Sequence, residues 1–195
     1  MLYKIAHILR DKLSWLWNII EWMNSVVFSL RYGKRLRKFV FTTVPEEYEI
    51  VPIRAVSTEK LVAFFSRQPE DAYTYFRPHG FDEKSIKRLQ KNRAFLGYVL
   101  NDKKNDEIAG YCFNRCFFHG QGFRGRMADI NYRGKGLGTA MNIILNEVGF
   151  GIGLRLFETV SKDNIASYKS ALSASKVKVV EEMPNNELYL EILPD

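Results

Sequence analysis

The chain has 195 residues, 46% of them hydrophobic and 26% charged, which leaves room for one packed domain with an appendage and excludes disordered and collagen-like classes. At this length a core buries roughly 70% of the surface the unfolded chain exposes, so neither metals nor disulfides are required for stability. The net charge of +7 is not spread evenly: residues 1–44 carry eight basic side chains against Asp11 and Glu21, while the other 151 residues hold 21 basic and 20 acidic ones. All three tryptophans, Trp15, Trp17 and Trp22, share that basic segment. The sequence divides into an aromatic, cationic front (1–44) and a nearly neutral body (45–195).

Apolar residues at helical spacing from Ile5 and Ile8 to Val27 and Leu30 predict a long amphipathic helix over residues 2–30. Arg10, Asp11 and Lys12 break any signal-peptide run. Asn18, Glu21, Asn24 and Ser25 interrupt the only stretch long enough to span a membrane. Two environments fit the helix. One is an anionic membrane surface on the cytoplasmic face, with tryptophans at headgroup depth and the basic run of residues 31–38 on the lipid. The other is protein, either the body itself or a second copy of the chain in a homodimer. Nucleic acid is not expected, because the apolar face would have no use on a polyanion.

Gly33 and the stretch at 42–45 read as a linker. In the body, residues 49–54 form a strand confined to an edge by Pro52, and helices follow at 58–67 and 85–91, separated by an aromatic, polar loop. Strands at 94–100 and 108–118 flank a polar turn at 101–106, and another strand ends near Ile130. A helix at 137–148, a strand at 155–160, a helix after Asn164 and a closing hairpin (177–180 and 188–193) complete the order. The expected fold is α/β, a mixed sheet with helices on its faces. Cys112 and Cys116, four apart in a strand, are about 13 Å from each other and are free thiols of a reducing compartment.

Three glycine clusters compete for a phosphate. Gly120, Gly122 and Gly125 match G-x-G-x-x-G, but no helix follows, and they read as a turn. Gly149, Gly151 and Gly153 close a helix. The third cluster, Arg133-Gly134-Lys135-Gly136-Leu137-Gly138-Thr139, stands between a strand and a helix, where unpaired first-turn amides and the helix dipole favour a pyrophosphate.

This segment resembles the R/Q-x-x-G-x-G/A signature of the GNAT superfamily of acetyltransferases. The element order from about residue 47 to 194 is similar to that family's fold, and Asn164-Ile165-Ala166-Ser167 resembles its N-x-A-S segment. The resemblance implies a mostly antiparallel central sheet whose fourth and fifth strands splay apart, with acetyl-coenzyme A held there. It implies cofactor contacts at Ala128, Ile130, Arg133, Gly134, Lys135, Gly136, Leu137, Gly138, Thr139, Asn164 and Tyr168. The implied activity is transfer of an acetyl group to an amine (amino sugar, small amine or peptide) by direct attack on the thioester, without a metal.

The attacking ammonium must lose a proton. Asp129, at the end of the fourth strand, and Glu158, an acid in an apolar fifth strand where burial raises its pKa, are the candidate bases. Structural roles compete: Asp129 as a loop cap, Glu158 as a partner of Arg124, Arg126 or Arg155. The segment 68–81, with Tyr75, Arg77 and His79, is the expected acceptor site. Ala171 stands where many members of the family place an acidic tyrosine, so a non-catalytic acyl-coenzyme A binding module is the alternative.

Overall fold

The computed structural model describes residues 14–43 and 45–194. Helix α1 (Ser14–Lys38) extends eight residues beyond the predicted end at Leu30. Gly33 is therefore a buried position inside a helix, not a linker, and the basic run belongs to the helix's last turns. Packing explains the extension: Phe28 and Tyr32 are 1% and 2% exposed, each contributing roughly 2–3 kcal/mol of burial, more than the ~1 kcal/mol helix cost of one glycine. Polar ties fix the same face: the Asn24 amide donates to the Cys116 carbonyl and accepts from the Phe118 N–H, and Arg35 donates to the Ile152 carbonyl. The predicted helical residues 2–13 lie outside the described residues, as does Val44 in the expected linker.

Strand β1 (Tyr48–Pro52) precedes a 3-10 turn at Ile53–Ala55. Helix α2 (Thr58–Ser66) is capped by Ser57 and α3 (Glu83–Lys91) by Asp82; the latter cap starts α3 two residues before the apolar pattern suggests. Strands β2 (Phe95–Asp102) and β3 (Glu107–Cys116) form the expected hairpin. Strand β4 (Gln121–Ala128) takes in Gly122 and Gly125, so that glycine cluster is a strand, with Gly120 alone in the preceding turn. Next come α4 (Leu137–Ile152), β5 (Arg155–Ser161), α5 (Ile165–Ala174), β6 (Lys176–Met183) and β7 (Glu187–Leu193).

The strands form one seven-stranded sheet in the order β1-β2-β3-β4-β5-β7-β6. Every pairing is antiparallel except β4 with β5, and β1, with its Pro52, is an edge as predicted. Strand alternation sends side chains to two cores. Leu96, Tyr98 and Leu100 of β2 meet α1 and α4 on one face; Phe95 and Val99 meet Phe64, Phe65 and Ile86 of α2 and α3 on the other. Cys112 and Cys116 are buried free thiols. Among the described residues no helix is long and apolar enough to cross a membrane.

Candidate active site

Strands β4 and β5 run parallel through only three pairs, Gln121 with Arg155, Gly122 with Leu156 and Phe123 with Phe157. Beyond them the strands part, and a cleft of about 770 Å³ opens between them. One edge of β4 is left there without a strand partner, so main-chain donors and acceptors face the gap. The cleft runs from Arg124, Arg126 and Glu158 at its floor to the glycine loop and the segment at 71–77 at its mouth.

The loop is built for close approach. Gly134 and Gly136 both sit at φ +77°, and among the described residues beyond its chain neighbours a Cβ on either would meet nothing within 4 Å. The left-handed conformation, not crowding, selects glycine, and the space above the backbone is open. Gly136 is the N-cap of α4 and supplies no side-chain cap, so the first-turn amides and the positive end of the helix dipole remain available to an anion. Leu137, Gly138 and Thr139 continue the lining, as do Ala128 and Arg133. The Arg133 guanidinium lies 3.9 Å from Asp71 across the mouth, both exposed, a contact worth little energetically. Lys135 does not line the cleft; its ammonium sits 4.8 Å above the Tyr132 ring.

Asn164 lines the opposite wall and caps α5 by accepting from the Ser167 N–H. Tyr168 packs toward the main core and Ile130 is exposed, neither lining the cleft. Ala171 is fully buried.

The two candidate acids separate. Asp129 has no exposed surface and lies off the cleft. One oxygen accepts from Arg67 Nε at 2.6 Å and Gln68 Nε2 at 2.7 Å, the other from the Asn131 N–H. Burial pushes its pKa up, but the bonds from Gln68, Asn131 and Arg67 outweigh it and hold the carboxyl below its ordinary range. It ties α2 to the end of β4.

Glu158 does line the cleft. Its Oε2 accepts from Arg124 Nε at 2.6 Å and Arg126 Nη1 at 3.0 Å, while Arg155 pairs instead with Glu191. Burial alone raises its pKa, as the sequence led us to expect, yet the two guanidiniums reverse the sign and leave it below the ordinary value. A carboxylate so held is a weak proton acceptor.

At the mouth, Tyr75 and Arg77 line the cleft. His79 does not: Nε2 meets the Tyr111 hydroxyl at 2.9 Å, and burial lowers its pKa to about 4. It is a neutral member of an aromatic core with Phe65, Phe81, Phe95 and Phe113. Sequence reasoning considered Arg124 and Arg126 only as partners for Glu158; their alternate positions in β4 were the available sign that both share one face with it.

No protein-family profile matches the sequence, and no curated protein matches it. Solved structures do match. The GNAT domain of S. lividans PAT superposes with a TM-score of 0.63 at 14% identity, covering 74% of this chain and 89% of that one. A GNAT-family acetyltransferase from Bacillus anthracis gives 0.60 at 17%, covering 77% and 96%. AAC(6')-Ib in complex with paromomycin and acetyl-coenzyme A gives 0.54 at 14%, covering 75% and 93%. The chain has the GNAT acetyltransferase fold.

Proposed function

We propose that the protein is an N-acetyltransferase that moves an acetyl group from acetyl-coenzyme A to an amine acceptor. The observation that carries this reading is an uncapped, glycine-built start of α4 opening onto the gap between β4 and β5. The residues present fit the cofactor, since the left-handed glycines leave clear space over first-turn amides that suit a pyrophosphate. Arg133, Gly134 and residues 136–139 would hold the phosphates, and Ala128, Asn164 and Ser167 the arm. Once bound, the thioester supplies an activated acyl carbon. The unladdered edge of β4 offers main-chain N–H groups to a developing oxyanion. Tyr75 and Arg77 receive the acceptor, whether amino sugar, small amine or peptide. Glu158 keeps Arg124 and Arg126 in place, and the ammonium proton leaves to water in the cleft.

The test is incubation with acetyl-coenzyme A and a panel of amines, following release of free thiol. Amine-dependent release supports the enzyme. Binding without turnover for any amine supports instead an acyl-coenzyme A binding module, the alternative that Ala171 favours.

We further propose that α1 docks the protein on an anionic membrane surface. Opposite the buried face of α1, Trp15, Ile19, Trp22, Met23 and Leu30 are 62%, 44%, 66%, 54% and 80% exposed. Lys34, Arg37 and Lys38 continue that face and are exposed. Aromatic and basic groups on one stripe match the interface of an anionic bilayer better than a second copy carrying the same charge. Three cations there add about 3 kcal/mol at low salt. Co-sedimentation with vesicles rich in phosphatidylglycerol, lost in Trp15→Ser/Trp22→Ser and reversed by salt, is the expected result. Concentration-dependent dimers without vesicle binding would refute it.

A further inference from the structure

The floor of the cleft has a charge imbalance that the transfer of an acetyl group does not use. Arg124 and Glu158 follow immediately on the last β4–β5 pair and Arg126 stands two residues beyond Arg124; the side chains of Arg124, Arg126 and Glu158 are 0%, 8% and 3% exposed. Two guanidiniums share one carboxylate, and both bond to its Oε2. Glu158 Oε1 and Arg124 Nη2 have no partner among the described residues. The remaining contacts are neutral: Arg124 donates to Asn146 Oδ1, and Arg126 to Ser167 and Ser170. Neither guanidinium has a second carboxylate among the described residues. Burial lowers the Arg124 pKa despite the opposing pull of Glu158, as expected of a cation short of compensation.

One unit of uncompensated positive charge in a desolvated site costs stability, and an apolar filling of the same volume would not. The cost makes sense if a ligand brings the missing negative charge. A carboxylate suits it, since a guanidinium fork pairs with carboxylates through charge-assisted bonds.

Strand alternation decides which substrate carries that carboxylate. Arg124 and Arg126 bond to α4 and α5, the helices beside the glycine loop, whereas Gly125 faces Phe113 and Phe76 on the opposite side of the sheet. Tyr75 and Arg77 flank Phe76. The arginines thus stand on the donor's side of the sheet; Arg124, bonded to Asn146, lies about two turns along α4 from the phosphate loop, whereas Arg126 reaches Ser170 beside Gly138. We infer that the floor of the cleft recognises a carboxylate at the far end of the donor's acyl chain, so that the protein takes dicarboxylic monothioesters of coenzyme A, such as succinyl-coenzyme A, in preference to neutral acyl chains of the same length.

This inference rests on the acyltransferase reading and leaves its chemistry intact. The amine nitrogen bonds to the thioester carbonyl carbon, the carbon–sulfur bond breaks, and the thiolate leaves as thiol with the proton the amine gives up. The distal carboxylate is a spectator that the arginines hold.

The test compares binding of succinyl- and butyryl-coenzyme A, equal in carbon count and different in charge, to the full chain by titration calorimetry, with acetyl-coenzyme A alongside. Succinyl-coenzyme A should bind about tenfold or more tightly than butyryl, the worth of a charge-assisted bond. Arg124→Met and, separately, Arg126→Met each leave a balanced ion pair and should bring the ratio toward one. Equal binding of the two thioesters by the native chain, or a ratio unmoved in a folded variant, overturns the inference while leaving the acetyltransferase reading in place. Failure of all three thioesters to bind removes that reading and the inference with it. If neither variant folds, the native comparison decides alone.

Discussion

Replacing Gly136 with aspartate puts the phosphate-loop assignment at risk in one measurement. Apart from its own and its neighbouring residues, no described residue lies within 4 Å of the Cβ it would add, so the direct cost is the left-handed backbone, about 1 kcal/mol, at a position aspartate tolerates better than most residues. For a chain of this size that lowers the melting temperature by about 2–4 °C. The effect on ligand is far larger. A carboxylate at the N-cap of α4 supplies its own acceptor to the first-turn amides and repels a pyrophosphate. In the native chain, coenzyme A at 100 times its dissociation constant adds about 2.7 kcal/mol, or roughly 5–10 °C. Differential scanning fluorimetry with and without coenzyme A should show that increment lost in Gly136→Asp and largely kept in Gly136→Ala, which carries the strain without the charge. A ligand-induced increment in Gly136→Asp equal to the native one would refute the assignment.

Three further outcomes follow from the packing. Phe28→Ala should cost about 3–5 kcal/mol in urea unfolding, because the ring is 1% exposed in the main core; chains starting near Thr43 should therefore fail to fold stably, and native stability in them would contradict α1 as part of the domain. His79 has a folded pKa of about 4 against about 6.5 unfolded, so the unfolded state binds the extra proton. Its contribution of up to about 3 kcal/mol is complete above pH 6.5 and lost as pH falls toward 4, and His79→Gln should flatten the urea midpoint across that window. Burial pushes the Cys112 thiol up to about 12 and Cys116 higher still, so a thiol reagent should label neither until the chain unfolds, and a thiol assay of turnover should read released coenzyme A alone.

What could be read in the sequence was local. The turn from β4 into α4 announces itself because left-handed glycines and an uncapped helix start are properties of six adjacent residues. The cation floor was legible only as a choice among Arg124, Arg126 and Arg155 for the partner of Glu158; that two of the three share it could not be read, since Arg124 and Glu158 stand 34 residues apart and meet only because β5 lies parallel beside β4. Asp129 misled for the converse reason: near the loop in sequence, it is drawn off the cleft by Arg67 and Gln68, some 60 residues earlier. His79 misled similarly, because aromatic residues spread over some 50 positions surround it. The end of α1 was placed too early because a glycine's local cost was weighed without Phe28 and Tyr32, whose burial depends on the rest of the domain.

The three-pair contact between β4 and β5 makes the sheet mechanically two plates sharing a short seam. Strands β1 to β4 form one plate, and β5, β7 and β6 the other. Each plate is laced along its own strands, so a force that widens the slot meets little backbone resistance until it reaches Phe123 and Phe157. The Arg124–Glu158–Arg126 cluster sits where such a crack would start and rivets it from the side. Where the ladder stops, the two plates are held by these three side chains and by α4, which packs on β3 and β4 of one plate and β5 of the other.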